Sequence, residues 1–368
     1  MNNPGLYVHV PFCRTKCAYC GFVSQTDLSL APIWLDALTR ESELYREFSG
    51  PFDTLFLGGG TPTVLSSSQL ERLTNHLFVG FSFEDSTEFT VEANPDDITS
   101  DMLILLKHLG VNRVSLGVQS LQENELVFLG RRHSAVQAEK ALDQVSCAGF
   151  KSLSIDLMYG LPGQTISSWL QTLGRALTFE PDHLSCYQLT LERRSPLGRM
   201  VAEKIIRKAA VKEERELFLA TSEFLEQEGY LHYEVSNFAR PRHLCRHNLK
   251  YWDRSPYLGL GPAAHSFDGN ARWWNTRSIR RYHQRLSCGH APIAGKEILS
   301  EENRIMESLL LGLRTAKGIE IDLVRHVAGL DSRVKHLEQS GLVTVRGGRV
   351  LPTREGLLYA DGLPLLFT

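Results

Sequence analysis

The chain has no apolar run near the roughly 18 residues a membrane span needs, so no spanning helix is expected. Its start, MNNPGLYVHVPFC, lacks a basic segment followed by a long apolar one. No secretory leader is therefore expected, and the default compartment is the cytoplasm, with peripheral contact at the inner membrane face left open. Charge of one sign is also missing: 40 Lys and Arg stand against 42 Asp and Glu, a net of -2. That excludes a protein built mainly to coat nucleic acid. The 7 cysteines in 368 residues are too sparse for a disulfide-built fold. Low-complexity tracts are absent as well. What is present suits a sizeable core, with 42% hydrophobic and 22% charged residues.

The first half repeats one rhythm. Short apolar runs at Leu6–Val10, Asp53–Gly59, Phe89–Asn94, Arg113–Ser120, Ser152–Gly160 and His183–Thr190 read as strands. Helical patterns lie between them at Ile33–Phe48, Ser68–Phe78, Ser100–Leu109, Ala135–Cys147 and Thr165–Leu177. Ser66 with Gln69, and Ser120 with Glu123, have capping-box spacing. Such a series predicts a parallel α/β sheet with right-handed crossovers. Six units are fewer than a closed barrel needs. An open partial (β/α)6 barrel and a doubly wound sheet both remain, and both gather ligands at the C-terminal strand ends. Gly58–Gly60, Glu92, Gln119 and Asp156 sit there.

After Thr190 the rhythm breaks. Val211–Gln227 reads as a long helix, Leu231–Ala239 as one strand, and 240–290 as a loop-rich, aromatic, basic region. From about Glu301, helical patterns precede LVTVRGGRVLPT, a hairpin with a Gly-Gly turn. This order predicts a small C-terminal winged-helix-like domain. Without a dense basic helix, it is not expected to bind nucleic acid. The expected division is 1–190, 191–298 and 299–368.

Cysteine usage is uneven. Cys147, Cys186, Cys245 and Cys288 are scattered and read as small buried hydrophobes. Cys13, Cys17 and Cys20 are clustered as C-x3-C-x2-C after the first strand. Three thiolates on a short loop suit three corners of a [4Fe–4S] cluster, leaving one iron open. Zinc needs a fourth ligand, for which His9 is the nearby candidate. A chance group of buried thiols is the third reading.

The cysteine spacing resembles the signature of the radical S-adenosylmethionine superfamily. Leu6-Tyr7-Val8-His9-Val10-Pro11-Phe12-Cys13 narrows the resemblance to the oxygen-independent coproporphyrinogen III oxidases and their relatives, the HemN/HemW group. The stretches that agree are Gly58-Gly59-Gly60-Thr61-Pro62-Thr63, Glu92 in ExNP, Gln119 in GVQS, Arg131 in GRxH, and Asp156 in DLxYGLPGQT. The resemblance implies an open partial barrel holding a [4Fe–4S] cluster on Cys13, Cys17 and Cys20. It implies S-adenosylmethionine contacts from Gly59, Gly60 and Thr61 to the methionyl amino group. Arg131 would meet the cofactor carboxylate, Asp156 the ribose hydroxyls, Tyr19 the adenine and Tyr7 the sulfonium region. Glu92 and Gln119 complete the set. After the sixth strand the family's Glu-x-Gly-Thr becomes Glu192-Arg193-Arg194-Ser195, so only Glu192 matches.

Two activities are open within the group. The oxidases decarboxylate coproporphyrinogen propionates, carry a long segment before the cysteine loop, and place a cysteine two residues beyond the last cluster ligand. Here 12 residues precede Cys13, and that position is Phe22. His247-Asn248-Leu249-Lys250-Tyr251-Trp252 is instead similar to the HNxxYW stretch of the HemW branch, regarded as haem chaperones. Gly259-Leu260-Gly261-Pro262-Ala263-Ala264-His265-Ser266 agrees. The branch implies haem as ligand and an apo-haemoprotein, such as a respiratory one, as recipient. A flavodoxin- or ferredoxin-type reductant and a homodimer are compatible with it. His247 is the expected haem ligand, with Cys245 and His265 as rivals. Tyr251 and Trp252 would offer flat area. Arg240, Arg242, Arg246, Lys250 and the run Arg272–Tyr282 would meet the propionates.

Overall fold

Two-residue alternation builds the central sheet. In the computed structural model, which describes residues 3–48, 50–191, 195–325 and 329–367, the first half forms six parallel strands. They are β1 (Gly5–Val10), β2 (Phe52–Gly59), β3 (Phe83–Ala93), β4 (Arg113–Gln119), β5 (Ser152–Tyr159) and β6 (His183–Gln188). Helices α1 (Ala31–Leu44), α2 (Ser67–Gly80), α3 (Ser100–His108), α4 (Glu123–Leu129), α5 (Ala135–Cys147) and α6 (Ile166–Leu177) connect them. Val91, Val114, Leu116, Ile155, Leu157 and Leu184 point outward and join one core with Leu73, Leu106, Leu142 and Trp169 from the helices. Residues of opposite parity, Thr90, Glu92, Ser115, Ser154, Asp156 and Ser185, line a polar interior. α6 shows how pattern makes a helix: Trp169, Thr172, Leu173 and Ala176 are buried at i, i+3, i+4 and i+7. Trp34 and Trp169 are fully buried, each stabilising by roughly 4–6 kcal/mol as an upper estimate.

The strands β1 to β6 add in chain order, which excludes the doubly wound alternative. The full sheet has twelve strands in the order β12-β11-β10-β9-β1-β2-β3-β4-β5-β6-β8-β7. The stretch read as one strand, 231–239, is a tight hairpin of β7 (Leu231–Glu234) and β8 (Asn237–Ala239) that extends the sheet beside β6. It follows α7 (Pro196–Ala202) and α8 (Val211–Gln227). The region read as loop-rich holds α9 (Arg246–Trp252), β9 (Tyr257–Leu260), β10 (His265–Phe267), β11 (Ala271–Asn275) and α10 (Ile279–Ser287), and β12 (Ile293–Ile298) follows it. β9 pairs in parallel with β1, so this region enlarges the same sheet and shares its core through Leu258, Leu260 and Tyr282.

A second core of Leu309, Leu313, Val324, Val334, Leu337, Val343 and Val350 belongs to the C-terminal part. There α11 (Glu301–Gly312) and α12 (Leu330–Gln339) accompany a sheet of β13 (Ile319–Glu320), β14 (Val343–Arg346) and β15 (Arg349–Pro352), before the short α13 (Arg354–Leu358). Gly347 and Gly348, at φ 58 and 74, make the β14–β15 turn.

Other local readings shift. Ser66 and Gln69 do form a capping box on α2. Ser120 and Glu123 do not: Ser134 and Gln137 form the box on α5, and Glu123 instead accepts from the Ala135 N–H. Cys186 and Cys245 are buried as expected, whereas Cys147 and Cys288, at helix ends, are exposed. Glu192 lies outside the described residues. Among the described residues, no helix is long and apolar enough to cross a membrane.

Candidate functional site

The C-terminal ends of β2 to β6 and the cysteine loop enclose a cavity of about 590 Å³. The loop leaves β1 at Pro11 and returns at Gln25, where Cys13 N–H donates to the Gln25 carbonyl and Gln25 N–H to that of Pro11, both at 3.0 Å. Arg14 pins it to Asp97 at 2.8 Å. Cys13, Cys17 and Cys20 are half-buried, unbridged, and all line the cavity. So do Tyr19, Gly59, Gly60, Thr61, Glu92, Gln119, Arg131 and Asp156.

The glycine loop is there because nothing larger fits. Gly59 has φ 103, and a Cβ on it would meet His9 Nδ1 at 2.3 Å. A Cβ on Gly60 would meet the Phe12 carbonyl at 2.4 Å. Gly59 N–H donates to Glu92 Oε2 at 3.0 Å. Asp156 accepts from Ser115 Oγ at 3.1 Å. Gln119 takes a positive φ of 69 at an irregularity in the β4–β5 register, which aims the end of β4 into the cavity.

Arg131 reaches the cysteine loop. Its guanidinium donates to Cys17 Sγ at 3.3 Å, to Asn94 Oδ1, and to the Gly117 carbonyl at 2.6 Å. Asn94 donates to Thr61 Oγ1 at 2.8 Å, and Thr61 to Cys13 Sγ at 3.7 Å. One polar chain thus ties two of the three sulfurs to the strand ends. Arg131 Nε is buried without a protein partner, so one donor is left for a ligand. Asn94, Ser115 and Tyr187 were not singled out from sequence, although all line the cavity. Strand parity was the available signal, since Ser115 lies four residues before Gln119 on the same face.

Burial dominates the electrostatics. It pushes Glu92 up to about 8, helped by the neighbouring Asp156 and opposed by the Gly59 N–H. Asp156 is raised to about 6 by burial, against hydrogen bonds from Ser185 and Ser115. Burial also raises the Cys13 and Cys20 thiols. A low-dielectric cavity with two carboxyls whose anionic forms burial disfavours gains from a cationic ligand.

The donor set fits a [4Fe–4S] cluster better than zinc. His9 does not face the thiols: its Nε2 bonds the Val23 carbonyl at 2.8 Å and its Nδ1 the Tyr7 hydroxyl at 3.0 Å. Among the described residues no three His, Cys, Asp or Glu converge as ligands of one metal ion. A cube places each thiolate on a different iron and needs no such convergence.

The structure does not bring Tyr7 or His247 to this cavity. His247 is 1% exposed, beneath the sheet's N-terminal end. Its Nδ1 bonds Thr54 Oγ1 at 2.8 Å and its Nε2 bonds the Tyr251 hydroxyl at 3.0 Å. Its ring stacks on Phe56 at 5.1 Å, and its backbone N–H donates to Glu88. Both ring nitrogens are therefore taken. Cys245 is equally enclosed, with its thiol against Glu88 at 3.7 Å. Three of the expected basic contacts are spent as well. Lys250 and Arg246 pair with Asp53, at 2.6 and 3.1 Å, and Arg240 lies over Tyr230.

A second cavity, about 540 Å³, adjoins the first through Gly21 and Phe22. Tyr7, Tyr251, Tyr257, His265, Trp274 and Arg277 line it.

The Radical SAM superfamily profile matches residues 7–176, and the HemN C-terminal domain profile matches 299–359. The chain is 33% identical over 365 residues to the "Heme chaperone HemW" of Mycobacterium tuberculosis, covering 98% of this chain and 93% of that one. It is 32% identical to the protein of the same name from Bacillus subtilis, covering 96% of each. A bovine relative, "Radical S-adenosyl methionine domain-containing protein 1, mitochondrial", is 33% identical over 98% of this chain and 86% of its own. The solved structure of Escherichia coli coproporphyrinogen III oxidase (HemN), described as a radical SAM enzyme, superposes with a TM-score of 0.84 at 26% identity, over 99% of this chain and 90% of that one. Cysteine loop, glycine loop, strand-end carboxyls and near-complete alignment agree: the chain belongs to the radical SAM superfamily, in its HemN/HemW group.

Proposed function

We propose that this protein is a haem chaperone built on an open partial barrel, binding a [4Fe–4S] cluster on Cys13, Cys17 and Cys20, S-adenosylmethionine beside it, and haem for delivery to an apo-haemoprotein. The observation that carries this is the pair of adjoining cavities, one lined by thiols and carboxyls, the other by aromatic rings and an imidazole. Near full-length similarity to proteins named haem chaperones supports it.

When bound, the cluster and S-adenosylmethionine together supply one-electron reductive chemistry. The chain's own residues bind, orient and shield. Arg131 and Thr61 brace Cys17 and Cys13, placing positive charge and a hydroxyl donor against the sulfurs. Glu92 accepts the methionyl ammonium alongside the exposed backbone of Gly59 and Gly60. The free Nε of Arg131 turns to the cofactor carboxylate, Asp156 to ribose hydroxyls, and Tyr19 to the adenine face. Gln119, fixed by its unusual backbone, fills the remaining side.

The test is anaerobic. Reconstituted protein is incubated with reductant, S-adenosylmethionine and coproporphyrinogen III, and separately with haem and an apo-cytochrome. Stoichiometric haem uptake and transfer, without propionate loss, is the expected result. Catalytic protoporphyrinogen formation would reject the chaperone in favour of the oxidase, the second reading that the close superposition on HemN keeps alive.

A further inference from the structure

We propose that haem sits in the second cavity and that His265, rather than His247, supplies the protein ligand to its iron; this rests on the haem-binding reading above. Three histidines line the cavities described here: His9, His183 and His265. His9 is committed to Tyr7 and Val23, and His183 to Ser154 and Tyr233. His265 is exposed, and among the described residues no hydrogen bond or ion pair holds its ring nitrogens. Its imidazole lone pair is therefore available to iron.

The setting suits a flat, largely apolar ring with two carboxylates. β10 and β11 place His265 directly opposite Trp274, and the two rings stack at 5.8 Å with an interplanar angle of 25°. Tyr251 and Tyr257 meet edge to face at 4.8 Å and form another wall with Tyr7. Exposed Arg277 adds a guanidinium for a propionate. Phe22, 65% exposed, borders both cavities. A volume of about 540 Å³ is within the usual range for sites that enclose such a molecule.

The floor is rigid. Buried Glu41 accepts from Gly261 N–H at 2.7 Å, from Asn275 at 2.5 Å and from the Tyr282 hydroxyl at 2.5 Å. These bonds clamp the turn before His265 to the strand that carries Trp274. Ala263, which lines the cavity in that turn, is held at φ 64, a conformation alanine adopts only under tertiary constraint. In this arrangement the HNxxYW stretch contributes Tyr251 to the cavity, while His247 positions that tyrosine from behind through its hydroxyl.

The test is haem titration of the reconstituted protein and of His265→Ala and His247→Gln, followed by absorption and resonance Raman spectra. His265→Ala should bind haem about tenfold or more weakly and lose the imidazole-ligated spectrum. Added imidazole should restore that spectrum. Its cluster absorption and S-adenosylmethionine affinity should be unchanged. His247→Gln should keep the wild-type spectrum at lower thermal stability. An unaltered spectrum in His265→Ala, or imidazole rescue confined to a folded His247 variant, overturns the assignment while haem binding stands. Failure of the wild-type protein to take up haem overturns the haem reading itself.

Discussion

The two ends of the same sheet treat polar residues in opposite ways. At the C-terminal ends, Glu92, Asp156, Arg131 and three thiols face a cavity, and Arg131 Nε is buried there without a protein partner. At the N-terminal ends, Asp53, Thr54, Glu88, Arg113 and His247 pair with one another or with α9, and of Arg113 only Nη1 is left without a hydrogen-bond partner. Arg113 pairs with Glu88 at 3.1 Å and donates to the carbonyls of His243 and Leu244 at 2.8 and 3.2 Å. The α9 segment is thus a plug across the N-terminal ends of these strands. A motif residue can meet a ligand only where part of its polar surface still faces a cavity; conspicuous sequence is not enough.

Changes at the two ends should therefore separate cofactor loss from unfolding. The largest effect is expected for Cys17→Ala, or the same change at Cys13 or Cys20. Each should abolish cluster assembly, seen as loss of bound iron and visible absorption, with little change in circular dichroism because the thiols are only half-buried. A variant that keeps its cluster, or one that unfolds, would erase the contrast. Next is Arg113→Ala at the plugged end. It strands Glu88 in a buried site and should cost about 3–5 kcal/mol by denaturant unfolding. His247→Gln should cost less, about 1–3 kcal/mol, through two disturbed buried hydrogen bonds.

The smallest effect is a pH dependence that sharpens the picture of the open end. Glu92 is neutral at pH 7 because burial raises it to about 8. A bound ammonium favours the carboxylate, so binding releases a proton below that value. Affinity for S-adenosylmethionine should therefore rise, on the order of tenfold, from pH 6 to 8 and then level. Calorimetry in buffers of different ionisation heat would show the proton release. In Glu92→Gln, binding should be weaker and this slope absent. A wild-type affinity that is flat over the same range removes Glu92 as the ammonium acceptor.

The HNxxYW stretch shows why one part of the site was harder to read than another. His247 reads as a ligand because imidazole beside Tyr and Trp suits haem; Tyr251, one helical turn on, takes one ring nitrogen, but nothing local shows that Thr54 takes the other. Thr54 is far away in sequence, so the partner is invisible until β2 and α9 meet. Strands β9 to β11 fall in the stretch that reads as loop-rich for a related reason. β9 and β10 have four and three residues, too few for alternation to register, and they exist because β1 offers β9 an edge.

The sequence by itself determined the βα series, the cysteine loop and the glycine loop. Each depends on spacing between near neighbours: period two in strands, three to four in helices, and three thiols within one short excursion. Tertiary structure alone decided which polar groups stay unsatisfied. It sealed His247 beneath the sheet and left His265 facing a cavity, because partners such as Thr54, 193 positions from His247, are assigned only when distant segments meet.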